Sequence, residues 1–253
     1  MMRVLLLGGT SEASRLAAAL AKTRIDAIFS YAGRTNDPIA QPLAMRIGGF
    51  GGVEGLATYI ASEGITHIID ATHPFAAGMS RNAITAATMT TTHLIALERK
   101  PWMQQAGDDW RHVADVEAAI ESLPPQPTRV FLAIGRQNIA AFAARPEHHY
   151  LLRFVDEPRD LIALPHHDVV IARGGFKIDS DMELMRAHGI GWVVSKNAGG
   201  ATAGAKIAAA RALHLPVTMI ARPTIPQRTT VETVEEVMAW LALDHDHDAR
   251  LGV

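Results

Sequence analysis

Short apolar runs alternate with alanine-rich stretches of helical length along almost the entire chain, and this alternation limits the fold more than any other feature. Val4–Leu7, Asp26–Tyr31, Ala44–Ile47, His67–Asp70 and His93–Leu97 read as strands, and Glu12–Ala21, Val53–Ser62 and Phe75–Thr90 as helices. Strands this apolar, separated by helical crossovers, belong to a parallel sheet covered on both faces. The rhythm breaks at Glu98–Asp109, around Lys100-Pro101-Trp102 and Gly107-Asp108-Asp109, and then resumes. Val130–Ile134, His149–Phe154, Asp168–Ala172, Trp192–Ser195 and Val217–Ile220 read as strands; Asn138–Ala144, Asp181–His188, Ala203–His214 and Val231–Leu243 read as helices. The tail Asp244–Val253, with its alternating Asp and His, reads as frayed. The expectation is an α/β protein of two Rossmann-like domains, 1–100 and 101–253. Each is a mostly parallel sheet flanked by helices, with the active-site cleft between them. Helix 231–243 is a candidate to pack back on the first domain.

Composition enters mainly by exclusion. The chain has 253 residues, 48% of them hydrophobic and 20% charged, enough apolar material for two cores. A net charge of -2 gives no support for nucleic-acid binding. There is no cysteine, so disulfides, thiolate metal sites and cysteine nucleophiles are ruled out. The first apolar stretch is too short for a signal peptide, and no run approaches the ~20 apolar residues of a membrane span. The expectation is a cytoplasmic protein with no membrane or nucleic-acid partner. Adjacent histidines such as His148-His149 and His166-His167 point to opposite faces of a strand, so no metal site is expected.

In open α/β sheets, ligands bind beyond the carboxyl ends of the strands. After the first strand comes Gly8-Gly9-Thr10-Ser11-Glu12-Ala13, a degenerate dinucleotide fingerprint in which Thr10 replaces the second glycine and Ala13 fills the third position. Gly8 and Gly9 permit a tight turn, the following helix N-terminus offers amides to a diphosphate, and Thr10 and Ser11 add hydroxyls. The blander reading is an ordinary glycine turn capped by Ser11. The second strand ends in Ser30, Gly33 and Arg34, without the acid that would hold a ribose 2′-hydroxyl. An arginine there suits a 2′-phosphate, so NADPH is the expected cofactor. Asp70-Ala71-Thr72-His73-Pro74 falls where the nicotinamide would lie; Pro74 suits a first helical turn. Thr72 and His73 are the catalytic candidates, although His73 equally fits a capping role.

The second half offers cations at its strand ends. Arg136, Arg153, Arg173, Lys196 and Arg222, with Ser195, Asn197, Gly200 and the helical Lys206, form the expected substrate-binding set for a polycarboxylate. The alternative is that these cations pair with some of the 26 acidic residues.

Taken together, these segments resemble the precorrin-6A reductase family of cobalamin biosynthesis. The resemblance rests on Leu6–Ala13, Arg46-Ile47-Gly48-Gly49-Phe50-Gly51-Gly52, Asp70–Ala76, Arg99 with Trp102, Gly135-Arg136, and Ser195–Gly200 through Lys206 to Arg222-Pro223. It covers nearly the whole chain. It implies a monomeric enzyme with an NADPH-binding first domain (Gly49 included in that site) and a substrate-binding second domain. It also implies hydride delivery to one double bond of a tetrapyrrole bearing acetate and propionate arms. The cobalt-containing form of the substrate, another NADPH-dependent reductase and a non-enzymatic nucleotide sensor remain the alternatives.

Overall fold

The computed structural model describes residues 2–33, 38–158, 160–172, 176–200 and 202–251, with side chains at 202 and 244–251 left out. Two compact units emerge. The first comprises Met1–Arg99 together with Thr224–Val253, the second Lys100–Pro223.

The first unit holds strands β1 (Arg3–Leu7), β2 (Asp26–Tyr31), β3 (Ala44–Ile47), β4 (His67–Asp70) and β5 (His93–Leu97), with helices α1 (Ser11–Leu20), α2 (Gly52–Ser62) and α3 (Ala77–Thr90). In the second lie β6 (Asp109–Val113), α4 (Val116–Glu121), β7 (Arg129–Ala133), β8 (His149–Phe154), β9 (His167–Ile171), α5 (Ile178–Ala187), β10 (Trp192–Lys196), α6 (Ala205–Ala212) and β11 (Pro216–Ile220). The chain then returns to the first unit as β12 (Thr230–Val231) and α7 (Val234–Leu251).

Each unit has a six-stranded sheet, ordered β3-β2-β1-β4-β5-β12 and β9-β8-β7-β10-β11-β6, and every pairing is parallel. The two orders are topologically the same. Their sixth strands are exchanged along the chain: β6, which follows β5, joins the second sheet, and β12, which follows β11, joins the first.

This exchange corrects the expected boundary. The second unit ends at Pro223 instead of running to 253, because β12 pairs with β5 and Val237 and Leu241 of α7 enter the core formed with Leu16 and Leu20 of α1. α7 also continues to Leu251, where a frayed tail was expected. No helix breaker occurs between Val234 and Gly252, so helical propensity carries through the Asp/His stretch.

The sheet pleat explains why the strands were so apolar. Val4 and Leu6 point to one face, against α1 and α7, and Leu5 and Leu7 to the other, against Leu56 and Ile60 of α2 and Ala83 and Ala86 of α3. Each fully buried leucine contributes about 1.5–3 kcal/mol of transfer free energy. In the second unit Phe131, Leu151, Val193, Val217 and Met219 pack against Met185 of α5 and Ile207 of α6. Among the described residues, no helix is long and apolar enough to cross a membrane.

Candidate functional site

The first sheet reverses its strand order between β1 and β4, and the chain at these two carboxyl ends diverges to opposite sides. A cavity of about 170 Å³ opens beside this point, lined by Gly8, Gly9, Tyr31, Gly33, Thr72, His73, Ala76 and Met79 among others. Gly8 cannot carry a side chain: a Cβ would lie 2.1 Å from the buried Phe29 ring. Gly9 has φ +121°, a backbone conformation open to glycine and costly to other residues. Five of the expected cofactor residues, Gly8, Gly9, Gly33, Thr72 and His73, thus meet around one space.

The hydroxyls expected to receive a diphosphate are used differently. Thr10, not Ser11, caps α1: its Oγ1 accepts from Ala13 N at 3.1 Å and donates to Ala71 O at 2.8 Å. The single Thr10 proton therefore ties the β1 turn to the β4 turn. Ser11 Oγ donates to Glu12 Oε2 at 3.0 Å. Glu12 itself is held by Arg99 at 2.9 Å and Arg15 at 3.3 Å. Burial pushes the Glu12 carboxyl upward, but its own backbone amide, the Arg99 charge, Ser11 and Arg15 outweigh this and leave it below the usual carboxylate value. Among the first-turn amides of α1, Ala13 N is thus taken by Thr10 Oγ1, Glu12 N by its own carboxylate and Ser14 N by Thr10 O at 3.2 Å.

Ser30 is also internal. It is buried at the end of β2, where its Oγ accepts from Arg46 Nη1 at 3.0 Å. Arg46 also donates to Gly48 O at 2.8 Å and Gly49 O at 3.2 Å while stacking 3.7 Å over the Phe50 ring. Gly49 thus serves as a backbone acceptor in a turn organised by Arg46. Arg34, on which the 2′-phosphate expectation rests, lies outside the described residues.

At the β4 end, Asp70 Oδ1 accepts from Thr72 N at 3.1 Å and Thr72 Oγ1 at 2.6 Å. His73 Nδ1 accepts from Phe75 N at 3.2 Å, and His73 O from Ala76 N at 2.7 Å. The expected helix start at Phe75 is therefore displaced to Ala77, because these bonds close Pro74-Phe75 into a turn. With Nδ1 accepting, the proton of a neutral His73 ring resides on Nε2. His73 thus closes the turn, as its capping reading expects, and also lines the cavity.

The second unit is more self-contained than expected. Asn197 grips the backbone of Trp102 from both sides, accepting from its N at 2.8 Å and donating to its O at 3.0 Å. Trp102 Nε1 donates to Gly200 O at 2.8 Å, and the buried Lys206 ammonium sits 4.9 Å from the Trp102 ring while donating to Ala203 O at 2.8 Å. Arg222 donates to Asn197 O at 2.9 Å and Ala198 O at 3.1 Å. Lys196 Nζ donates to Asn138 Oδ1 at 2.7 Å.

Arg153 forms an inward ion pair with buried Asp181 at 2.5 Å and stacks 3.9 Å from the Phe176 ring. Arg153, expected in the substrate-binding set, thus has its guanidinium engaged within the unit. Ser195, from the same expected set, is fully buried, and its Oγ donates to Lys196 O at 3.3 Å. Arg136, in a single 3₁₀ turn after β7, is exposed and donates to the Asp156 and Glu157 carbonyls. Arg173 lies outside the described residues.

A family model described as precorrin-6x reductase CbiJ/CobK matches residues 3–242. The chain belongs to this family. A precorrin-6A reductase of Rhodobacter capsulatus is 57% identical over 249 residues, covering 98% of each chain. Another from Rhodococcus erythropolis is 45% identical over 243 residues, 95% of this chain and 98% of the relative. A solved CobK precorrin-6A reductase superposes with a TM-score of 0.92 over 96% of both chains at 57% identity. Members of this family are reductases of cobalamin biosynthesis, and the reaction needs a hydride donor.

Two residues missing from the expected site are central to its geometry. Arg46 carried a signal, since it opens the glycine-rich segment 46–52. Arg228 carried none. It sits in a proline-containing stretch far along the chain, yet its Nη1 lies 2.6 Å from Asp70 Oδ2 and its Nη2 3.3 Å from Glu98 Oε2.

Proposed function

We propose that this chain reduces precorrin-6A to precorrin-6B with NADPH, bound at the turns that follow β1, β2 and β4. The observation that carries the cofactor half is the cavity around Gly8, Gly9, Thr72 and His73 at the switch point of a parallel sheet. What supports a dinucleotide is the open space at Gly9, where a Cβ would meet nothing within 4 Å, and the positive N-terminal end of α1 that follows it. NADPH supplies the hydride to one carbon–carbon double bond of the macrocycle, and a proton completes the reduction.

The protein's share is positioning. Thr10 locks the β1 turn to the β4 turn, so the floor of the cavity is rigid. Thr72 and His73 align the reactive ring, and Arg34 is the 2′-phosphate partner. In the second unit, exposed Arg136 and the strand-end Lys196 receive carboxylates of the substrate, which has several acidic arms. Asn197, Gly200, Lys206 and Arg222 hold the loop that presents Lys196.

The cobalt-free substrate is favoured by the relatives. The precorrin-6A reductases quoted above are 57% and 45% identical, whereas a cobalt-precorrin-6A reductase of Priestia megaterium is 29% identical over 248 residues. The test is anaerobic NADPH oxidation with and without precorrin-6A. Substrate-dependent loss of the reduced-nicotinamide absorbance, with NADH much slower, is the expected result. No oxidation with either donor would overturn the proposal.

A further inference from the structure

We propose that Arg228 is a positioning residue for the hydride donor, acting through Asp70 to fix which hydrogen-bonding group Thr72 presents to the cavity. This deepens the NADPH reading above and rests on it. The Asp70 side chain is fully buried and that of Arg228 is 8% exposed, so the pair is shielded from water. One Asp70 oxygen is taken by Arg228 Nη1 at 2.6 Å, and the other receives both the amide and the hydroxyl of Thr72, at 3.1 and 2.6 Å. The only hydroxyl proton of Thr72 is thus committed inward. Toward the cavity that Thr72 lines, its Oγ1 offers lone pairs alone.

A group docking there must donate. The carboxamide NH₂ of a nicotinamide does so; a carbonyl or carboxylate does not. The guanidinium also spans to Glu98 Oε2 at 3.3 Å, tying the ends of β4 and β5 together. A lysine, with a single tip, cannot hold both carboxylates in this way. Arg228 itself is placed by the pairing of β12 with β5, where Ala96 N donates to Thr229 O at 2.9 Å and Glu98 N to Val231 O at 2.8 Å.

The experiment compares, for NADPH and for its 3-acetylpyridine counterpart, in which a methyl group replaces the carboxamide NH₂, the association constant titrated without acceptor and kcat/KM with precorrin-6A as acceptor. In Arg228→Lys both NADPH values should fall about 10-fold and both analogue values less than about 3-fold, so that the wild-type preference collapses. The KM for precorrin-6A should stay within about 2-fold of wild type. Thr72→Val leaves the Arg228–Asp70 pair in place and should collapse the preference similarly; it decides the matter if Arg228→Lys does not fold. Equal losses for both donors, or a preference that survives in a folded Arg228→Lys or in Thr72→Val, would overturn the role of Arg228 while leaving NADPH binding intact. A wild-type protein that oxidises neither donor would bring down both proposals.

Discussion

The turn after β1 and the loop after β10 occupy equivalent ends of topologically matching sheets, yet they are built on opposite plans. In the first, Gly9 leaves open space beside a cavity, Gly8 makes room for the buried Phe29 ring, and the hydroxyl of Thr10 ties two turns together. In the second, the glycine loop is filled from within by Trp102, Asn197, Lys206 and Arg222. An open turn is suited to a ligand held by backbone amides. A braced loop is suited to presenting a few fixed cations, and its cost is paid in stability when a brace is removed.

If that contrast holds, mutations in the β10 loop should register first as lost stability. The largest effect is expected at Gly199, which has φ +69° and whose added Cβ would lie 2.0 Å from Lys100 O. Gly199→Ala should lose about 3 kcal/mol, read from the denaturant midpoint, because strained backbone and overpacking act together. Asn197→Ala removes both bonds to Trp102 and should cost about 2 kcal/mol. A raised KM for precorrin-6A at unchanged stability would instead make Asn197 a direct substrate ligand and break the comparison.

On the other side, Thr10→Val should lose about 1 kcal/mol through the α1 cap, and Thr10→Ser should restore most of it. The smallest effect concerns pH. Glu12 sits below its ordinary value of 4.5 when folded, so its tie to Arg99 stabilises the protein fully above about that pH and is lost as pH falls through the depressed folded value. Glu12→Gln should therefore flatten the acid limb of a Tm-versus-pH profile below pH 4.5, by less than about 1 kcal/mol at neutral pH.

Much of the fold was legible because burial leaves a record in the residues. His67–Asp70 and His149–Phe154 were read with their observed limits, being central strands covered on both faces. β6 escaped notice: Asp109–Val113 is polar and lies at a sheet edge, where three of its five residues are exposed. β12 is only two residues long and follows a proline-containing stretch. The candidate site divides similarly. Gly8, Gly9, Thr72 and His73 could be placed because each directly follows a strand. The inward turn of Arg153 could not, because its partner Asp181 lies on α5 and nothing in the local pattern announces a buried ion pair.

By itself, then, the sequence determined two parallel sheets with glycine-bearing turns at their carboxyl edges, since hydrophobic periodicity and glycine placement are local properties that directly reflect burial and backbone conformation. Tertiary structure alone decided which half of the chain completes each sheet, which hydroxyl caps α1, and that Arg228 meets Asp70 across 158 residues. Such partnerships depend on strand register and on side chains competing for the same buried donors and acceptors. That competition is settled only once the strands have paired.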